Sequence, residues 1–233
     1  IVGAENVHLF ITNEHLTPEV REYLKRVNTT YHPYDGVTSF LQQAPQNEHS
    51  FLYAFNINYA FAELISEACI GHWTPEQGLS PITSWRAHKN EAEIAGFRRA
   101  MQHDGVAMVR FHRELDEKVA NGSINQETEW SIAERLEEIR AEHPEYRGLS
   151  FATIAGYAGN GAIVHYEATA EDHATLSSKS FLLLDSGAHY VSGTTDITRT
   201  IPLGALTEEE KKAYTLVLKG MIQLSMAHFP VGT

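Results

Sequence analysis

The chain carries one cysteine, Cys69, in 233 residues. An internal disulfide is impossible and a cysteine-built zinc site is excluded, which fits a reducing, cytoplasmic setting. No apolar run approaches the roughly 20 residues that span a bilayer. Cations are scarce as well: 18 Lys and Arg stand against 30 Asp and Glu, a formal net charge of -12. Phosphate backbones and anionic lipids need clustered Lys and Arg, so neither nucleic acid nor a membrane is an expected partner. There is no basic-plus-apolar leader, and the first residue is not Met. The ends, IVGAENVHLFIT and HFPVGT, read as cuts through something larger.

Familiar catalytic signatures are missing too. HxH, HExxH, CxxC, GxSxG and a Walker-type loop do not occur, which removes zincin, serine-hydrolase and P-loop readings. The Gly-rich piece GYAGNGA lacks the spacing and strand–helix context of a dinucleotide fingerprint.

What is present divides into two styles. Residues 1–78 alternate short β-type runs (7–12, 29–34, 50–55) with helix-like stretches. Thr17 and Pro18 read as N-cap and first helical position of one helix, and 59–68 as a second. This βαβα rhythm predicts a small α/β unit with some parallel strands. Residues 71–85 contain Gly, two prolines and polar residues, and read as a linker or long loop. Beyond it, Asn90 and Glu93 form a capping-box pair at the head of a long helix that Gly122 would stop. A second helix is expected over roughly 126–142, with Trp130, Ile132, Ala133, Leu136 and Ile139 inward. After Pro144 the pattern turns to strands, with Gly159, Asn160 and Gly161 at a turn. Thr207 and Glu210 then begin a closing helix over 206–229.

Chemistry gathers in LLLDSGAHYVSGTTDITRT, residues 182–200, where Asp185 and Asp196 stand in an otherwise apolar, Gly- and Thr-rich stretch. If SGAHYVSG joins two antiparallel strands, the two carboxylates can face one another across the ladder. Their repulsion then needs a shared proton, a nearby Arg or divalent cations. Paired carboxylates are the usual bridging ligands of two-metal hydrolases. The plainer alternative has one Asp capping a turn through Ser186 or Gly187 and the other paired with Arg199. His165, in GNGAIVHYEAT, is a second candidate, since a neutral imidazole can shuttle a proton near neutral pH. Both readings of the aspartates stay open on the residues alone.

Taken together, NGAIVHY and LLLDSGAHYVSGTTDITRTIPLG resemble the pita-bread metallopeptidases of creatinase and aminopeptidase P type, most closely the Xaa-Pro aminopeptidases. SPITSWRAHKNEAEIAGFRRAMQHDGVAM resembles that family's entry into its catalytic domain. The resemblance implies an α/β plus α+β chain. Residues 1–78 would be the latter part of a creatinase-type domain, and 79–233 the N-terminal half of the pita-bread domain. It implies that Asp185 and Asp196 are two of five ligands to a pair of divalent metals, commonly manganese. His165 would lie near a proline-containing peptide substrate and assist binding and proton transfer. The family's remaining ligands, a histidine in an HGTGHG-like segment and two glutamates, have no counterpart in this sequence. The chain by itself is thus expected to be inactive, to bind metal weakly or not at all, and to self-associate into homo-oligomers through exposed edges and apolar surface. A prolidase or creatinase-like hydrolase is the alternative among enzymes. A non-catalytic pita-bread module that binds peptide or protein is the alternative outside them.

Overall fold

A computed structural model describes residues 1–3, 5–43, 52–53, 57–68, 72–73 and 81–230. The chain forms two compact units, Ile1–His88 and Lys89–Thr233.

In the first unit β1 (Val7–Ile11) leads to α1 (Pro18–Arg26), β2 (Thr29–Pro33) and α2 (Val37–Gln42). These are followed by β3 (Leu52–Tyr53), α3 (Tyr59–Ala68), β4 (His72–Trp73) and α4 (Pro81–Ala87). β1 pairs with β2, and β3 with β4, both in parallel, as the βαβα rhythm requires. Thr17 caps α1 by accepting from the Val20 amide, with Pro18 at the first helical position. His8, Phe10 and His32 gather their rings around Phe40. Segment 71–85, expected as a linker, instead contains β4 and the start of α4. Its apolar His72–Trp73 pair completes a ladder with Leu52–Tyr53, a partner too distant in sequence for local composition to reveal. Residues 74–80 of that segment, and parts of the run expected at 50–55, lie outside the described residues.

The second unit is built on α5 (Glu91–Asn121) and α6 (Glu129–Ala141). Asn90 and Glu93 make a reciprocal capping box at the head of α5, and Gly122 ends it at φ 78°. Thr128 and Ser131 cap α6 in the same way. Next come β5 (Tyr146–Leu149), β6 (Ile154–Tyr157), β7 (Phe181–Ser186) and β8 (Ala188–Tyr190). β9 (Gly193–Thr194), β10 (Ile197–Pro202) and α7 (Glu208–Ser225) complete it, with the predicted Thr207–Glu210 box at the head of α7.

Two antiparallel sheets share one long bent hairpin: β10-β7-β6 and β5-β8-β9. The core lies between the first sheet and the two long helices. Met108, Phe111 and Leu115 of α5 and Ile132, Leu136 and Ile139 of α6 pack on Leu182, Leu184, Ile197 and Ile201. The buried stripe of α5 therefore runs through Ala100, Asp104, Ala107, Met108, Phe111 and Leu115. Ile94, Phe97, Met101, Val106 and Val109, also apolar, remain exposed. On α6, Ile132, Leu136 and Ile139 are buried as expected, whereas Trp130 and Ala133 are half-buried.

Candidate metal centre

The alternation of β7 decides what its aspartate can do. Leu182, Leu184 and Ser186 are buried against the helices, while Phe181, Leu183 and Asp185 point to the other face and stay partly accessible. Asp185 is thus outside the core, and the burial cost that its apolar neighbours imply is only partial. Across the ladder Asp185 pairs with Thr198, not with Asp196. The expectation that the two carboxylates oppose one another directly is corrected by two residues of register. Asp196 immediately precedes β10 and lies two residues from Thr198, which is a diagonal position relative to Asp185 if the alternation of β10 is carried back to it. Diagonal neighbours of an antiparallel pair sit roughly 7–8 Å apart, far enough to ease repulsion and near enough to share ligands.

Thr198 Oγ1 donates to Asp185 Oδ1 at 2.8 Å. Asp196 is exposed, and its carboxylate has no hydrogen-bond or ion-pair partner among the described residues. Arg199 does not answer the charge of either aspartate. It pairs in register with core-facing Leu184, on the helix side of the sheet, and donates to the Thr198 carbonyl at 2.7 Å. On that side burial is the main influence lowering the His112 pKa, and the Arg199 charge adds to it.

The backbone ahead of Asp196 is fixed by a corner. Thr195, 1% exposed, donates its amide to the Ala188 carbonyl at 2.9 Å. Its hydroxyl accepts from the Ala188 amide at 3.0 Å. Ser150 Oγ donates to the Thr195 carbonyl at 3.0 Å, and the Ser150 amide to the Gly187 carbonyl at 3.1 Å. Gly187 stands where a Cβ would lie 2.0 Å from the Thr195 carbonyl oxygen, so only glycine lets the strands approach this closely. At the hairpin tip, Gly193 packs against Phe97 and Ala100 of α5.

His165 lies in the turn that follows β6, at φ 56°, a left-handed conformation that histidine adopts more readily than most residues. Its side chain is exposed. The turn folds back onto the carboxylate face, because Gly161 sits over Leu183, two residues before Asp185 on the same side. Ile163 and Val164 beside it are exposed by 53% and 83%. Position in this segment is set by a residue that the motifs do not contain. Glu129, 0% exposed, accepts from the Tyr157 amide at 2.6 Å, the Tyr166 hydroxyl at 2.8 Å and the Ala174 amide at 2.7 Å. Asn160 Nδ2 donates to both of its oxygens, at 3.1 and 3.2 Å. Burial, then the bond to Glu129, pushes the Tyr166 phenol up to about 12.

A second buried polar group lies behind the hairpin. Arg140 Nε and Nη2 donate to the two oxygens of Asp104 at 2.6 and 3.1 Å, with both side chains 0% exposed. Nη2 also donates to Ser186 Oγ at 3.1 Å, and the Tyr190 hydroxyl donates to Asp104 Oδ1 at 3.1 Å. Burial, then the Asp104 charge, raises the Tyr190 phenol well above its ordinary range. Arg140 and Asp104 cancel each other's charge, so Arg140 does not offset Asp185 or Asp196. Asp104 sits in register with the apolar stripe of α5, and a polar residue at a core position was the signal available in sequence.

The donor set fits hard divalent cations in part. Two carboxylates lie close along one hairpin, and no Lys or Arg among the described residues pairs with either, which is oxygen-ligand chemistry. Among the described residues, no group of three or more His, Cys, Asp or Glu side chains gathers to complete a coordination shell.

The family model for metallopeptidase family M24 matches residues 95–233, and that for the creatinase/prolidase N-terminal domain matches 1–93. A probable Xaa-Pro aminopeptidase P of Pyricularia oryzae is 35% identical over the whole chain, and one of Aspergillus clavatus 37%. The chain spans 39% and 36% of their lengths. An X-prolyl aminopeptidase from Caenorhabditis elegans, described as cytosolic with a di-nuclear active site, superposes with a TM-score of 0.83 at 31% identity. That match covers all of this chain and 38% of the nematode one. A prolidase from Thermococcus sibiricus shares the fold at 21% identity and a TM-score of 0.62. With a bent double-sheet hairpin, two paired helices and a family match across its second unit, the chain belongs to metallopeptidase family M24.

Proposed function

We propose that this chain contributes two ligands of a two-metal site to an aminopeptidase that releases the N-terminal residue from peptides with proline in second position. The observation that carries the reading is the Asp185–Thr198–Asp196 arrangement: one carboxylate oriented by a threonine across the ladder, a second two residues from that threonine, neither neutralised by a described cation. Residues 1–78 are assigned to the latter part of a creatinase-type domain, and 79–233 to the N-terminal half of the catalytic domain. The cytosolic description of the nematode relative supports a cytoplasmic setting. Oxygen-only ligands suit a hard divalent cation, and manganese is the metal we assign on the resemblance of the two aspartate segments to the Xaa-Pro aminopeptidases.

When bound, the metal pair supplies Lewis-acid polarisation of the scissile carbonyl and an activated water. Asp185 and Asp196 are the residues of this chain that would hold it. The Thr198 hydroxyl occupies one oxygen of Asp185 and so fixes which lone pairs face outward. His165, exposed in the turn after β6, is the residue we assign to donate to the substrate or carry a proton. Exposed Ile163 and Val164 offer the apolar contact a prolyl ring requires. With two carboxylates alone, coordination number and geometry are not fixed, so the chain by itself binds metal weakly.

Assay of the full-length protein on Xaa-Pro-Yaa tripeptides against Xaa-Pro dipeptides tests the reading. Tripeptide cleavage that depends on manganese and is lost in Asp185→Ala is expected. Cleavage of dipeptides only would assign a prolidase, the alternative that the creatinase/prolidase description of the N-terminal domain supports. Activity retained in Asp185→Ala would end the two-metal assignment.

A further inference from the structure

We infer that the buried Asp104–Arg140 pair is a positioning device for the metal site, acting on the Asp185 hairpin through Ser186 and Tyr190. The inference rests on the metal reading of Asp185 and adds residues from two helices to it. Asp185 and Ser186 are consecutive on β7 and point to opposite faces. Any rotation of the strand that moves one side chain moves the other. Ser186 is fully buried, and its hydroxyl accepts from Arg140 Nη2 at 3.1 Å. Arg140 is in turn held by both oxygens of Asp104. Asp104 also accepts from the Tyr190 hydroxyl at 3.1 Å, so one ion pair grips the hairpin on both sides of Gly187. The grip spans the bend at which β7 leaves one sheet and β8 enters the other.

Chemistry favours a positioning role over simple adhesion. A buried ion pair seldom adds net stability over apolar residues of the same volume, because desolvation offsets the attraction. The planar guanidinium does fix direction, through two parallel bonds to the carboxylate and a third to Ser186. Groups that orient a ligand from behind typically govern metal affinity by about 10- to 100-fold. Arg140 and Asp104 touch neither metal nor substrate, so they are positioning residues and not catalytic ones.

Variants that cut each bond separately while leaving the ion pair in place test the inference. Ser186→Ala removes the bond to Nη2, and Tyr190→Phe removes the bond to Asp104 and keeps the ring. In the full-length protein, manganese affinity is read by titration calorimetry and folding by the thermal midpoint without metal. Asp185→Ala is the reference variant. Each single variant is expected to weaken manganese binding about tenfold or more, with kcat falling and KM for peptide unchanged at saturating metal. A lowered thermal midpoint with manganese affinity within about twofold of the parent would overturn the inference, as would no change in either. If Asp185→Ala binds manganese normally, the metal reading itself fails and the inference falls with it. Arg140→Lys is the harsher check. It leaves Asp104 charged and buried, and a folded Arg140→Lys protein with unaltered affinity would also count against the role.

Discussion

Thr198 and Asp185 are directly opposed on β10 and β7, and the threonine hydroxyl donates to the carboxylate at 2.8 Å. Thr198→Val keeps the branched shape and strand preference of the side chain while deleting the donor. Because Thr198 is exposed, stability should change by less than about 1 kcal/mol. Manganese affinity of the full-length protein should drop by about tenfold or more, as the carboxylate regains rotational freedom. Unfolding in urea and metal titration read the two quantities independently. Unchanged affinity would remove Thr198 from the site.

The bend of the hairpin makes a sharper demand on a glycine. A Cβ on Gly187 would meet the Thr195 carbonyl oxygen at 2.0 Å and Ser150 Oγ at 2.3 Å. Gly187→Ala should therefore cost about 3 kcal/mol or more, at the upper end of overpacking penalties. Gly105, inside α5, has nothing within 4 Å of its notional Cβ. Gly105→Ala should stabilise by about 0.5–1 kcal/mol, by restricting the unfolded chain and favouring the helix. Opposite shifts in urea midpoint are expected, and a shared direction would contradict the packing described at the bend.

How far the sequence could be read depended on the distance over which each feature is determined. Thr17 with Pro18, Asn90 with Glu93 and Thr207 with Glu210 announce helix starts because each cap depends on residues a few positions apart. Asp185 and Asp196 were legible as a pair because they share one hairpin. Their face and offset were not, since the register is set by Thr198 and by packing of Leu182 and Leu184 on helices far along the chain. Arg199, the cation nearest in sequence, faces away. Arg140, the cation that reaches the strand, is 46 residues from Ser186. Glu129 escaped notice for the same reason, with donors 28 to 45 residues away.

Glu129 offers a test of the second buried group. Glu129→Ala strands two backbone amides and two side-chain donors that now converge on one carboxylate. The four donors are only part-buried, so each left unpaired costs about 1 kcal/mol, the low end of the range for a buried group, and a total loss of roughly 4 kcal/mol is expected. Glu129→Gln retains one acceptor oxygen and should lose about half as much. Urea unfolding measures both. A loss below about 1 kcal/mol for Glu129→Ala would mean that the turn bearing His165 does not depend on this residue.

Alkaline pH probes the same group through Tyr166. Its phenol is raised from 10.0 to about 12, first by burial and then by the bond to Glu129. The folded state thus favours the protonated phenol. That contribution is complete below the unfolded value near 10 and is lost as pH climbs through about 12. Tyr146 is raised to about 12 too, by burial and then by Glu137. The urea midpoint should therefore fall between about pH 10 and 12, and Tyr166→Phe should lessen the slope without abolishing it. Phenolate absorbance, taken as the difference between parent and Tyr166→Phe, isolates the group. A difference spectrum titrating at the ordinary tyrosine value would break the link between Tyr166 and Glu129.

α7 presents a different surface problem. Tyr214, Val217, Leu218, Met221 and Ile222 recur at helical spacing and are 38% to 75% exposed, with Leu224, Met226 and Phe229 exposed beyond them. Phe181 stacks on Tyr214 at 5.7 Å between ring centroids, but the rest of the stripe faces outward. An apolar stripe of this length in water drives association, because burying each large side chain is worth about 1.5–3 kcal/mol. The chain by itself should consequently form homo-oligomers whose mass rises with concentration in sedimentation velocity. Val217→Glu and Met221→Glu place charge in the stripe, and each should weaken association by about tenfold or more. Arg113 lies elsewhere, on α5 in an exposed pair with Glu117, and Arg113→Ala should leave the mass distribution unaltered. If the two α7 variants sediment as the parent does, the association surface is not this helix.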